Sequence, residues 1–441
     1  MFETLKNAFK VKEIRKKLII TLLLLLVYRL GCYIPVPGID SAQFSQVIEG
    51  NNFLNLMNSV TGGALASGTL FALGIGPYIN ASIIMQLLCV GIPPLERLSK
   101  QGEEGKKKIA AITRFVTLAL AIIQSVGVII NFSQESAISS QIIALFGGDG
   151  NRWIVYIYMA VIYSAGAMLT MWLGERITEY GVGNGISMII FLGIISTAGL
   201  TIFIEPVQDM VANGFDGGTL VSIILFCVIA VVIFALIVTV DLAERRIPVQ
   251  YAKQVKGRKM YGGQSTVIPI KISGSGVMPL IFAFAIISLP DLIMGLFAAD
   301  SNAYANYQAW FSSGTGPLGW LYILVLCALI FLFSFFYAQI QFNPEDISKS
   351  IQQNGGFIPG IRPGRPTADY LKKISNRITL FGAIFLSLVA FIPSLAFSFA
   401  GEQFVNVFST TGILIVVSVA LEFDKQLQSQ LMMKNYKGFL K

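Results

Sequence analysis

Whatever chemistry this 441-residue chain performs, it performs without histidine, because the sequence contains none. That removes Ser-His-Asp and Cys-His catalysis, and any zinc or haem site built on imidazole. The four cysteines (Cys32, Cys89, Cys227 and Cys327) stand far apart, within or at the ends of apolar runs. Thiols in such places act as small hydrophobes, and none forms a CxxC pair, so neither a disulfide nor a metal site is expected. No GxxxxGK(S/T) phosphate loop is present, which argues that the chain does not itself hydrolyse ATP. Gly181-Val182-Gly183-Asn184-Gly185 is glycine-dense like a nucleotide-binding turn but has no βαβ context. It reads better as a tight cytoplasmic turn opening a helix. An enzyme is not indicated, and no cofactor is expected.

Polar side chains inside apolar runs are few: Arg29, Asn80, Gln86, Gln124, Asn184 and Gln339. For any one of them the ordinary role is a helix-packing hydrogen bond of roughly 1 kcal/mol. Arg29 is the costly one, at about 2.5–3.5 kcal/mol if left unpaired near a helix centre, and must either snorkel or find a carbonyl. No ladder of acidic residues crosses the apolar runs. That weighs against a secondary transporter of a small solute, and the lack of a catalytic pair weighs against an intramembrane protease.

The elements that carry these residues follow from composition. Hydrophobic residues make up 54% of the chain and charged residues 13%, about half the share usual in soluble domains. Ten runs are long and apolar enough for about 20-residue spans. They start near Leu18, Leu70, Ile109, Trp153, Gly183, Leu220, Gly276, Leu318, Arg377 and Phe404. The first is not a cleavable leader, because it runs into Tyr33-Ile34-Pro35-Val36-Pro37-Gly38 without a small-residue cleavage site. A ten-span topology with both termini in the cytoplasm puts every Lys and Arg on the cytoplasmic side except Arg29 and Arg152. The net charge of +8 is then a cytoplasmic property. It serves either orientation and attraction to anionic lipids, or docking of an acidic or RNA-bearing partner.

Two of the basic connections, about 241–275 and 342–376, are too long to be mere links. The alternation in Val267-Ile268-Pro269-Ile270-Lys271-Ile272 predicts a strand or hairpin in the first. Between the first two spans, Phe53 to Gly68 is too apolar for a solvated loop and too glycine-rich for a lipid-facing helix. It is either a short helix tucked into the bundle from outside or an amphipathic helix on the outer surface. Gly74 and Gly76-Pro77 break the chain before the second span resumes, as in discontinuous helices that mark translocation paths.

Read together, several stretches resemble the SecY family, the channel subunits of the Sec protein translocon. They are Ile34-Pro35-Val36-Pro37-Gly38-Ile39-Asp40, Ser59-Val60-Thr61-Gly62-Gly63-Ala64-Leu65 and Phe71 through Ile79. Met171 through Ser187, Arg245 through Lys253, Asn343-Pro344-Glu345 and Pro359 through Gly364 complete the set, in family order. The resemblance implies an all-α membrane protein of ten helices in two inverted five-span halves, 1–212 and 213–441, around an hourglass pore. It implies a re-entrant plug over about 55–68, including Asn55, Thr61, Gly62, Gly63, Ala64 and Leu65. The pore ring carries over to Ile75, Ile79, Ile186, Ile190, Ile281 and Ile415, a dewetting constriction of branched apolar side chains. Gln86 and Gln124 match lateral-gate positions, whereas Phe284-Ala285 departs from the small polar residues common there. Arg245, Arg246, Arg258, Lys259 and Arg362 fall in the loops that dock the SecA motor ATPase and the ribosome. SecE-like and SecG-like subunits, signal sequences and nascent polypeptides are the other implied partners, and the cytoplasmic membrane the implied location.

Overall fold

The apolar runs become helices in the computed structural model, which describes residues 2–37, 39, 58, 60–134, 152–200, 204, 217–251, 254–256, 259–261, 265–272, 278–287, 290, 294, 306–307, 319–398 and 410–438. The helices are α1 (Phe2–Lys10), α2 (Lys12–Gly31), α3 (Gly76–Gly91), α4 (Pro93–Ser99), α5 (Glu103–Gln134), α6 (Arg152–Tyr180), α7 (Gly185–Gly199) and α8 (Gly217–Leu242). After strands β1 (Glu244–Tyr251), β2 (Gln254–Lys256), β3 (Lys259–Tyr261) and β4 (Ser265–Lys271) come α9 (Met278–Ile287), α10 (Gly319–Gln341) and α11 (Pro344–Gln353). Strand β5 (Gly356–Phe357), α12 (Arg365–Ser398) and α13 (Thr410–Gly438) close the chain. A described helix lies at each of the ten expected spans. Among described residues, α5, α6, α8, α10 and α12 are long and apolar enough to cross a bilayer alone. The pair α3–α4 is bent by 105°. Pro93 and Pro94 enforce that corner, because the residue before a proline is steered out of helical geometry.

Two compact units are present. The first comprises Met1–Ile224, Ser288–Tyr322 and Ala400–Lys441; the second comprises Leu225–Ile287 and Ile323–Phe399. In the first, Leu65, Ala72 and Leu73 pack with Ala121 and Ile129 of α5 and with Val155, Met159 and Tyr163 of α6. A separate cluster of Ala8, Ile14, Leu18, Val182 and Leu427 seats α1 and α2 against α13. Large apolar side chains stay exposed along whole helix faces, such as Leu22, Leu23, Leu26 and Leu30 on α2, and Val228, Val231 and Val232 on α8. Faces of that kind suit lipid rather than water.

In the second unit the two long connections are built into one body. Strand β1 pairs antiparallel with β4 and, on its other edge, with β5 from the second connection, in the order β4-β1-β5. Pro248 and Pro269 stand at pairs of the same parity, Pro248 opposite Val267 and Arg246 opposite Pro269, so their missing N–H groups fall outside the β1–β4 ladder. Ile247, Val249, Ile270, Ile351, Ile358 and Leu371 bury one face of the sheet against α11 and α12. The strand expected near Val267 is present as β4. The second connection is more ordered than its glycines and prolines advertise: α11 is capped by Asn343, and α12 begins twelve residues before the span expected from Arg377. Leu371 is fully buried. Leu371→Ala is therefore expected to cost about 2–5 kcal/mol. Limited proteolysis of membranes should then cut both connections, and unchanged protection would show that they are not one cooperative body.

Candidate functional site

Between α2 and α3 the described residues of 58–75 are mostly buried, helical at Asn58, Val60 and Thr61 and irregular from Gly62 on, and their burial argues against the surface amphipathic helix. Irregular backbone at membrane depth must find its hydrogen-bond partners within the protein. Here it does. Within the segment, Gly63 N–H donates to Asn58 O (3.0 Å), Ala66 N–H to Asn58 Oδ1 (2.8 Å), and both the N–H and Oγ1 of Thr69 to Ala64 O (3.1 and 3.0 Å). The chain after α2 adds Val36 N–H to Gly68 O (3.1 Å), and Leu70 N–H donates back to Ile34 O (2.9 Å).

Arg29, the expensive residue of the first span, supplies the contact that local backbone cannot. Its Nη1 donates to Gly62 O at 2.8 Å, while Nη2 donates to the Tyr33 hydroxyl at 3.1 Å and the guanidinium lies over the Tyr33 ring. Beside it the buried Cys32 thiol contacts Thr61 O at 3.9 Å. Gly62 has φ +73°, and a methyl added to it would sit 2.7 Å from Arg29 Nη1. Glycine is thus required by the left-handed backbone, and the Gly193 backbone 3.1–3.2 Å from the methyl position leaves little room besides.

Small residues on the neighbouring helices let the segment approach backbone to backbone. A methyl at Gly193 of α7 would collide with Val60 O, one at Gly166 of α6 with Leu70 O, and one at Gly31 of α2 with the Phe71 ring. That ring also stacks on Tyr28 at 5.5 Å between centroids. The seat is therefore made by α2, α6 and α7 together.

Of the expected plug residues, Thr61, Gly62, Ala64 and Leu65 are buried in this seat, Gly63 is half-buried, and Asn55 lies outside the described residues. Of the expected ring, Ile75 is buried and ends the irregular segment, and Ile79 is half-buried in the first turn of α3. Ile190 is buried on α7 and Ile415 on α13, two helices that pack together. Ile186 is half-buried near Gly174 of α6, in the first turn of α7, where Asn184 Oδ1 accepts from its N–H at 3.1 Å. Those five belong to the first unit; Ile281, half-buried on α9, belongs to the second. The turn expected at Gly181–Gly185 is present, fixed by Val182 N–H donating to Thr21 Oγ1 at 3.0 Å.

At the expected gate positions, Gln86 Nε2 donates to Ser82 Oγ at 3.1 Å. Gln124 is buried on α5, and its Oε1 has no partner among the described residues. In the second unit Phe284 is half-buried on α9, and Phe282 packs on Phe333 and Tyr337 of α10.

Of the docking candidates, Arg245 and Arg246 are exposed on β1, with Arg246 Nε 2.7 Å from Glu244 Oε1. Lys259 opens β3, which pairs with β2 in a separate two-stranded sheet, and Arg258 lies outside the described residues. Arg362 is exposed on a turn between β5 and α12, flanked by Gly360 (φ +82°) and Gly364 (φ +97°). The turn is pinned from below: Arg362 O accepts from Thr367 Oγ1 at 2.8 Å, and Gly364 O from Ser348 Oγ at 2.7 Å. Next to it a polar cleft of about 760 Å³ opens between α10, α11 and α12, lined by Glu345, Lys349, Gln352, Arg365, Asp369 and Lys372 among others. Among described residues no group of His, Cys, Asp and Glu could hold a metal.

Sequence reasoning missed the glycine seat and the partner of Arg29. The available signals were Gly31, Gly166 and Gly193 within helical runs, the first where the Phe71 ring approaches and the other two where a neighbouring backbone does. Gly193→Ala is expected to overpack the seat at a cost of about 1–3 kcal/mol. A lowered thermal midpoint of the detergent-solubilised protein would register it; an unchanged midpoint would mean that the Val60–Gly62 backbone is not held against α7.

The fold and these motifs have counterparts. A family model described as SecY matches residues 69–423. The protein translocase subunit SecY of Streptomyces coelicolor is 41% identical over 447 residues, covering the whole of both chains. Among solved structures, one titled for a SecY plug domain that stabilises the closed channel aligns over 94% of this chain and 92% of its own, with a TM-score of 0.65 and 20% identity. Sec61 in the canine ribosome–channel complex aligns over the same shares, at a TM-score of 0.61 and 19% identity. Such distant structures carry the fold, and the full-length sequence identity carries the kinship: this multi-pass membrane chain belongs to the SecY family.

Proposed function

We propose that the chain is the protein-conducting subunit of a translocase in the cytoplasmic membrane. It passes unfolded secretory polypeptides outward and releases apolar segments sideways into lipid. The observation that supports the reading is the mostly buried segment within 58–75, tied to α2 through Arg29 and leading directly into Ile75 and Ile79, which this reading takes as the stopper. A static soluble core would have no need of such a costly arrangement. A transporter would need a charged site facing solute, and Arg29 is already engaged with Gly62 and Tyr33.

In this reading the six isoleucines, Ile75, Ile79, Ile186, Ile190, Ile281 and Ile415, form the constriction between two inverted halves, 1–212 and 213–441. Branched apolar side chains expel water from a narrow neck and so block ions, yet offer a passing chain no hydrogen bonds to stick to. A signal helix opens the gate by binding the open state better than the closed one. Gln124, whose buried carbonyl oxygen lacks a donor among described residues, is a gate group suited to a polar partner.

Energy comes from outside the chain, from a SecA-like motor or a translating ribosome, and SecE-like and SecG-like subunits complete the assembly. The platform of β1, β4, β5, α11 and α12 supports this assignment by displaying Arg245, Arg246 and Arg362 on rigid backbone. A guanidinium clamps carboxylate or phosphate in a fork, so it suits acidic protein and rRNA alike. Anionic lipids neutralise the remaining cytoplasmic charge.

Two outcomes follow. Arg362→Glu should abolish motor-driven export into reconstituted vesicles while the protein stays inserted and abundant; normal export would remove Arg362 from the coupling. Replacing Ile79 and Ile190 together by Gly should make the resting channel conduct ions in planar bilayers, and unchanged conductance would refute the ring.

A further inference from the structure

We infer that Arg29 is a positioning residue for gating: a latch whose hydrogen bond to Gly62 sets how readily the stopper leaves, and hence how strong a signal sequence must be to open the channel. The inference rests on the reading of residues 58–75 as a stopper, and adds to it a named switch.

The geometry makes Arg29 unusual among the contacts of the seat. Most others are backbone pairs inside the segment, or van der Waals approaches of glycine to carbonyl, and the former can travel with the segment when it moves. The bond from Nη1 to Gly62 O ties the segment to a transmembrane helix by a charged donor. Charge-assisted bonds are about twice as strong as neutral ones, and more so away from water. Gly62 cannot easily become anything else, since its φ of +73° disfavours any side chain and the Gly193 backbone would lie 3.1–3.2 Å from an added methyl.

The latch also has somewhere to go. Arg29 already donates to the Tyr33 hydroxyl and rests on its ring, and Tyr33 is exposed. When Gly62 departs, the guanidinium keeps these contacts and gains water in the vacated space. The charge therefore need not be stranded in an apolar site, which keeps the released state within reach. A latch of this kind biases an equilibrium by its differential interaction with the two states, which is the requirement for any population shift.

The protein carries its own reporter. Cys32 is buried, with its thiol against Thr61 O, so it becomes reachable from outside only when the segment moves away. The test uses the full chain with its partner subunits in proteoliposomes and Cys89, Cys227 and Cys327 replaced by Ser, and follows alkylation of Cys32 by a membrane-impermeant maleimide applied from outside. Arg29→Met should speed alkylation of the resting channel by roughly tenfold, the factor set by loss of about 1.4 kcal/mol. The same variant should export a reporter with a weakened signal sequence that the parent rejects. Arg29→Lys, which keeps a charged donor but loses the fork, should fall between the two. This graded rescue separates a latch from mere packing, and the amount of membrane-inserted protein monitors folding. If Arg29→Met leaves both alkylation and signal stringency at parental values while deletion of residues 60–67 raises both, the latch is overturned and the stopper stands. If that deletion raises neither, the stopper reading itself fails, and the latch with it.

Discussion

Inside a bilayer a peptide group that is not in a helix must be satisfied by the protein, because no water is there to do it. This constraint shapes the first unit more than any other. From Gly62 to Ile75 the chain leaves helical geometry and still pairs many of its polar groups, partly with its own neighbours and partly with residues 34–36. The remaining demand at Gly62 O is met by Arg29, so two costly features of the sequence offset one another. The glycines of α6 and α7 then let backbone lie against backbone, and Gly31 of α2 makes room for the Phe71 ring. A seat made this way holds by many small contacts and one charged bond.

In the second unit β1 is shared between a partner strand from its own connection and a short strand from the next, and one apolar cluster lies beneath both. Arg362 consequently sits on a turn whose two ends are hydrogen-bonded to α11 and α12, rather than on a free tip. From that turn α12 runs as one continuous helix into a stretch long and apolar enough to cross a bilayer.

Much of this was legible in the sequence, for identifiable reasons. Span positions follow from apolar length, which depends on summed transfer energies and not on detail. Strand β4 was visible because alternation at Val267 to Ile272 is a local signal. The turn before α7 was visible because Asn184 and its glycines carry their own geometry. By contrast, the pairing of β1 with β5 joins residues about a hundred positions apart and has no local mark beyond Gly356-Phe357. The early start of α12 was hidden because its first turns are amphipathic, not apolar: Leu371 is buried while Lys372 and Lys373 are exposed. Arg29 announced that it needed a carbonyl but not which one, since its partner lies 33 residues away across a change of direction. Long-range partners of that kind are chosen by tertiary structure alone.

The central claim is that a polypeptide crosses through a neck of apolar side chains sealed at rest by the seated segment. The most direct measurement arrests a chain midway through export and maps its neighbours, using a photo-reactive or cysteine probe placed in turn at each of the six isoleucine positions. The account predicts adducts at Ile75, Ile79, Ile186, Ile190, Ile281 and Ile415, and few at exposed helix-face positions such as Leu22 or Val231. Adducts confined to those outer faces, with none at the isoleucines, would contradict it.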